Sequence, residues 1–219
     1  MNVIYLHGFA SSPQSKKAQW FKNRFADIGI DMRIPDLNVP SFEHLTMTDM
    51  LKTVHAEVAQ CPPGDVLLIG SSLGGAVAIN YADKHHYGAL PEARRVTHLV
   101  LLAPAFDVID GWHKRIGDEG MAAWKRDGWT EVFNYRINAP ARLHHGFIDD
   151  MAHYNPYGAE TDRPILIFHG LRDETVPSYQ SERYAGTRVH VELRLVDSDH
   201  ELLDQTDAIW AALRNIAAR

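Results

Sequence analysis

Val66-Leu67-Leu68-Ile69-Gly70-Ser71-Ser72-Leu73-Gly74-Gly75-Ala76-Val77-Ala78 is the stretch on which the fold reading turns. Its first four residues form a continuous apolar run, the mark of a strand buried on both faces. Gly70 to Gly74 then match G-x-S-x-G. The short pattern arises by chance in many chains, so its setting decides. Here it follows a buried-strand run and precedes a small-residue helix start, the setting of a nucleophile elbow. The glycines have a physical task. Such a turn strains the backbone of its central serine, and side chains on either side would collide with strand and helix. Ser72, bracketed by the glycines, would project above the sheet at a helix N-terminus. Free N–H groups and the helix dipole favour developing negative charge there. Ser71 is out of register. The bland alternative is a serine in an ordinary strand–helix turn.

Outward from this stretch, apolar runs alternate with helical patterns. Asn2–Leu6 is a β-rich run ending at His7-Gly8, and Met32–Ile34 is a short strand stopped by Pro35. Leu99–Leu102 and Ile165–Phe168 repeat the unbroken apolar pattern, while Val189–Val196 alternates more. Residues 15–28, 46–60 and 202–218 carry apolar residues near helical spacing. Strands alternating with helices predict an α/β fold, a mostly parallel sheet with helices on both faces. A chain of 219 residues suits one domain.

From Phe106 to about Asp162 no buried-strand run occurs. The stretch is rich in charges and aromatics, including Trp112, Trp124, Trp129 and Phe147. A structureless loop of that length does not suit a compact domain. A small helical cap inserted at about 106–162 is therefore expected. Its rings either line an apolar substrate pocket or simply bind the cap to the sheet.

A serine hydroxyl needs a base. In the chain order Ser, acid, His, that base comes late. His200 follows the strand Val189–Val196 within Asp197-Ser198-Asp199-His200, on a loop able to reach Ser72. The acid should follow the preceding strand, where His169-Gly170-Leu171-Arg172-Asp173-Glu174-Thr175-Val176-Pro177 stands. Asp173 is the better placed and Glu174 its adjacent rival. Asp197 and Asp199 are weaker candidates, too close in sequence to reach His200 from its far side. The acid would orient His200 and stabilise its imidazolium. An oxyanion hole needs two backbone N–H groups. Leu73, after the nucleophile, would supply one. Phe9, after the first strand, would supply the other. His7 is expected to pack or hydrogen-bond within its own loop.

Composition narrows the rest. The net charge of −6 carries no basic footprint for nucleic acid and no polybasic membrane anchor. No apolar run approaches the roughly 20 residues of a membrane span, so stable membrane insertion is not expected. No signal-peptide pattern opens the chain, which leaves the cytoplasm as the expected location. Cys61 is the single cysteine and sits in no elbow pattern, so it forms no internal disulfide and is not the expected nucleophile. The thirteen histidines include the adjacent pairs His85-His86 and His144-His145, which cannot share an ion. No metal-ligand spacing occurs, and neither metal nor any other cofactor is expected.

With these residues in hand, the chain resembles a known family. The opening YLHGFASSPQSKKA (5–18), GSSLGG (70–75), HGLRDETVP (169–177) and the His200 loop are similar to the YqiA-like esterases of the α/β-hydrolase superfamily. The cap segment, with Trp112, Gly120, Trp124, Gly128, Tyr135 and Phe147-Ile148-Asp149-Asp150, is more similar to the related acyl-protein thioesterases and acyl-glucuronide esterases. The resemblance implies hydrolysis of small carboxylic esters, or thioesters, without a cofactor. It puts Ser72, Asp173 and His200 on the triad positions, and Phe9 and Leu73 on the oxyanion positions. One departure is Asp197-Ser198-Asp199, where relatives approach the histidine through glycine. Two carboxylates there would raise the His200 pKa or compete for it. Other scissile bonds, such as a C–C bond or a peptide, use the same fold and triad. A hydrolase fold serving only as a binding module is the alternative from another class. A dehalogenase is disfavoured, because it would carry Asp at the position of Ser72.

Overall fold

The computed structural model describes residues 1–218. Strand β1 (Asn2–Leu6) leads to helix α1 (Lys16–Ala26), whose N-cap Ser15 accepts a hydrogen bond from the Ala18 N–H. β2 (Met32–Arg33) and α2 (Met47–Gln60), capped by Thr46, follow. β3 (Val66–Ser71) runs into α3 (Leu73–Ala82) with Ser72 alone between them. Next come β4 (Val96–Leu102), α4 (Val108–Asp127), β5 (Trp129–Asn134), β6 (Ala139–His144) and α5 (Gly146–Met151). β7 (Ile165–Gly170), α6 (Tyr179–Ala185), β8 (Val191–Val196) and α7 (Thr206–Ala217) complete the order. Among the described residues no helix is long and apolar enough to cross a membrane.

The main sheet has the order β2-β1-β3-β4-β7-β8, and each neighbouring pair is parallel. Side-chain alternation divides the core in two. Ile4, Leu6, Leu68, Leu101 and Ile167 pack with Met50, Leu51 and Val54 of α2 and with α3. Val3, Tyr5, Ile69, Val100 and Phe168 face the other way, onto Phe21 and Phe25 of α1 and Ile209 and Leu213 of α7. Both faces are thus apolar, which is why the central strands read as unbroken hydrophobic runs. The predicted parallel sheet with helices on both faces is what the chain forms.

Residues 106–162 differ from expectation. They hold more than short helices. α4 is two short helices in succession, broken at Gly117, where φ is +70° and ψ 172°. β5 and β6 form a two-stranded antiparallel hairpin outside the main sheet. The hairpin lacks an apolar run because it buries only one face. Val132, Asn134 and Leu143 point inward, and Glu131, Phe133 and Arg142 outward. Its turn is closed by Asn134, whose side chain accepts the Arg136 N–H, and by Asn138 at φ +52°. At the chain's end, Leu202 takes a left-handed conformation, so the last helix begins at Thr206 rather than 202. β8 begins at Val191, because the Val191 N–H turns back to the Arg188 carbonyl.

The β3–α3 turn is the tightest point of the structure. A Cβ on Gly74 would overlap the Leu6 carbonyl oxygen of β1, and one on Gly70 the Gly74 carbonyl oxygen. Gly74→Ala is therefore expected to cost about 3 kcal/mol or more. Gly29→Ala, at φ +78° in open space, bears only left-handed strain, roughly 1–2 kcal/mol. Urea unfolding of both variants beside wild type measures the difference.

Candidate active site

Ser72 has φ +53° and ψ −120°, a costly conformation for a residue with a side chain. The backbone is pinned in it. The Ser72 N–H donates to the Leu102 carbonyl at 2.9 Å, and the Ser72 carbonyl accepts from Gly75 at 2.9 Å and Ala105 at 3.0 Å. The loops after β1, β7 and β8 converge on its hydroxyl.

His200 Nε2 lies 3.1 Å from Ser72 Oγ, and His200 Nδ1 lies 2.7 Å from Asp173 Oδ2. The Asp173 side chain is fully enclosed. Its Oδ1 accepts the Thr175 N–H at 2.9 Å and the Val176 N–H at 2.7 Å. Burial by itself would push this carboxyl up. The adjoining imidazoles of His169 and His200 outweigh it and hold the group below the usual carboxylate range. An ionised Asp173 can only accept, so His200 Nδ1 carries the hydrogen and Nε2 is left to accept from Ser72.

The His200 loop is fixed from three sides. It crosses β7 at Gly170, where a Cβ would meet the Ser198 and Asp199 carbonyl oxygens. The Arg172 N–H donates to the Ser198 carbonyl at 2.9 Å, and the buried Ser198 hydroxyl donates to the Asp204 carboxylate. Lys17 of α1 is buried and donates Nζ to the Glu201 carbonyl at 2.8 Å. Burial lowers the Lys17 pKa, against the raising influence of Glu201, Asp173 and Asp199. The rival acids point elsewhere. Glu174 is exposed, Asp197 pairs with Arg172 at 2.7 Å, and Asp199 accepts the Glu201 N–H at 2.9 Å.

On the β1 side, Gly8 lies against the serine: a Cβ there would stand 3.1 Å from Ser72 Cβ. Among the described residues, neither the Phe9 nor the Leu73 N–H meets a hydrogen-bond acceptor. His7 bonds within its own loop, as expected, and also to the segment after β2. It accepts the Leu37 N–H at Nε2 (3.0 Å) and donates from Nδ1 to the Gly8 carbonyl (2.9 Å). The tip of the β5–β6 hairpin reaches this loop. The Tyr135 N–H donates to the Ala10 carbonyl at 3.0 Å, and Arg136 pairs with Asp36 at 2.7 Å.

The four rings singled out in sequence part company. The Phe9 ring meets Phe42 and Phe147 at 5.7 Å each and Trp112 edge-on at 5.8 Å. Trp112 meets Trp124 at 4.8 Å, and the Trp124 indole donates to the Leu143 carbonyl at 3.0 Å. Trp129 is elsewhere, against His44 and His144 and under the Arg142 guanidinium. Trp124 and Phe147 are each 1% exposed, so they hold the segment together. Sequence reasoning missed Lys17, His169 and Gln180, whose side chain accepts the Phe106 and Asp107 N–H groups. Lys17 and His169 stand inside the quoted stretches, but nothing in their spacing marks them.

A family model described as "Uncharacterised protein family (UPF0227)" matches residues 2–216. The chain is similar to "Palmitoyl-protein thioesterase ABHD10, mitochondrial" of Bos taurus, 23% identical over 219 residues, covering 94% of this chain and 68% of that protein. Among solved structures it is similar to the mouse alpha/beta hydrolase domain-containing protein 10, with 20% identity and a TM-score of 0.79 over 99% of this chain and 89% of that one. It is also similar to Est1E from Butyrivibrio proteoclasticus with ferulic acid bound, with 16% identity and a TM-score of 0.79 over 100% and 88% of the two chains. These likenesses show the α/β-hydrolase fold.

A carboxylate held below its unfolded pKa contributes stability above that unfolded value, about 3.9 for Asp. The contribution is lost as pH falls toward the lower folded value. Acidification from pH 6 to pH 3 is expected to lower the urea midpoint, and by less in Asp173→Asn than in wild type. Paired denaturation curves at the two pH values check this.

Proposed function

We propose that this chain, a member of the UPF0227 family, is a serine hydrolase that cleaves carboxylic esters through an acyl-enzyme. The observation that carries this reading is the continuous hydrogen-bonded line from Ser72 Oγ through His200 to the buried Asp173 carboxylate. Ser72 attacks the acyl carbonyl while His200 Nε2 takes its proton. Asp173 keeps Nδ1 as the donor and stabilises the imidazolium. The Phe9 and Leu73 N–H groups receive the oxyanion, each worth roughly 10²–10³ in turnover. His200 then protonates the leaving group, and a water activated by His200 releases the acid. Every step is supplied by protein groups and water.

In this reading the chain is one hydrolase domain with residues 106–162 as its cap. The half-buried Phe9 ring, backed by Phe42 and Trp112, is the apolar surface beside Ser72 on which an acyl chain lies. A thioester follows the same path with a thiol leaving group. The bovine relative named as a palmitoyl-protein thioesterase favours testing it directly.

A fluorophosphonate probe is expected to label wild type and not Ser72→Ala. The p-nitrophenyl ester turnover of Ser72→Ala should fall by about 10⁴ or more. Turnover within about tenfold of wild type would sink the mechanism. A folded wild type that neither labels nor hydrolyses acetyl to dodecanoyl esters would leave the fold as a binding module. Phe9→Ala keeps the backbone donor and removes the ring. Its kcat/KM for octanoyl esters is expected to drop roughly tenfold more than for acetyl esters. Octanoyl oxyester and thioester analogues compared side by side decide the leaving-group preference.

A further inference from the structure

We infer that His169 is a positioning residue that holds the Asp173 carboxylate in line with His200. The inference rests on the hydrolase reading above and adds a residue to it. His169 stands next to last in β7 and is fully buried. Its Nε2 lies 2.8 Å from the Val176 carbonyl and 3.2 Å from Asp173 Oδ2. Its Nδ1 lies 2.7 Å from the hydroxyl of Ser181 on α6, which is also fully buried.

Hydrogen-bond accounting sets the tautomer. A carbonyl only accepts, so Nε2 carries the hydrogen and donates it to Val176, with Asp173 Oδ2 alongside at 3.2 Å. Nδ1 then accepts from Ser181, and a neutral ring satisfies every partner. A purely structural histidine would explain the bonds to Val176 and Ser181. It does not explain why the same nitrogen stands 3.2 Å from Oδ2, the oxygen that His200 uses. Oδ1 is held by two loop N–H groups, whereas among the described residues Oδ2 faces two imidazoles, hydrogen-bonded to His200 and 3.2 Å from His169. His169 therefore completes the alignment of the carboxylate.

It also has an electrostatic consequence. The positive end of the His169 N–H beside Oδ2 offsets part of its negative charge, so Oδ2 stabilises the His200 imidazolium less strongly. Removing His169 should therefore move the acid limb of the activity profile upward. The other groups around the pair are Lys17 on α1, reaching the loop through the Glu201 carbonyl, and Asp199 and Glu201 on the loop itself. All of them are retained in each variant below, so their influence cancels between variants.

The test compares wild type, His169→Leu, His169→Gln and Ser181→Ala. The readouts are p-nitrophenyl acetate kinetics and fluorophosphonate labelling rates from pH 4.5 to 9. His169→Leu is expected to lower kcat roughly 10–100-fold at little change in KM. Its acid limb should move upward by about half a pH unit. His169→Gln, whose amide reaches the place of Nε2, should recover the limb and most of the rate. Ser181→Ala should fall between. Should His169→Leu not fold, His169→Asn carries the same test, since its amide reaches the place of Nδ1 and not of Nε2. A folded variant lacking the Nε2–H whose acid limb stays at the wild-type pH overturns the inference. Wild type that fails to label sinks the hydrolase reading instead, so the two failures are distinguishable.

Discussion

Two backbones passing closer than a methyl group allows are the constraint on which the site depends. The start of α3 lies against the end of β1, with Gly74 on the Leu6 carbonyl and Gly70 folded under the Gly74 carbonyl. Only this approach lets the chain turn from strand to helix through the single residue Ser72. The sheet order places β1 and β3 side by side although β2 comes between them in sequence. That adjacency is the switch point of the sheet, where open α/β sheets present their ligand crevices. The loop carrying Phe9 and the turn carrying Ser72 are neighbours for this reason.

Around that turn, charge is arranged in layers. The ionised Asp173 is enclosed yet receives three hydrogen bonds, two from its own loop and one from His200, with the His169 imidazole 3.2 Å away. Lys17 stands behind the His200 loop and is itself buried, so its charge is felt through little water. The aspartates on either side of Ser198 do not crowd His200. One is neutralised by Arg172 and the other is turned back onto its own backbone. The departure from glycine in this loop is accommodated by the buried Ser198 hydroxyl and its Asp204 partner.

Much of this is legible in the sequence, for identifiable reasons. Strands buried on both faces write themselves as unbroken apolar runs, so Val66–Ile69, Leu99–Leu102 and Ile165–Phe168 are plain. Chain order and loop position single out Ser72 and His200. The sequence favours Asp173 over Glu174, but spacing alone does not say which neighbour turns inward. Packing does: the Val176 and Thr175 N–H groups meet Asp173, and Glu174 faces water. The β5–β6 hairpin hides because one of its faces is solvated. Trp129 is grouped with Trp112 by composition, but only the fold reveals that its ring faces His44 and His144. His169 and Lys17 escape because their value lies in partners distant along the chain.

The bond from Tyr135 to Ala10 ties the hairpin of the 106–162 segment to the loop that follows β1. The Arg136–Asp36 pair ties the hairpin tip also to the segment after β2. An entrance widened by swinging this hairpin outward would pull on the backbone that bears the proposed Phe9 donor. In the proposed hydrolase, admission of substrate and polarisation of its carbonyl would thus be mechanically linked. A substitution at the hairpin tip, far from Ser72 in sequence, would act on both together.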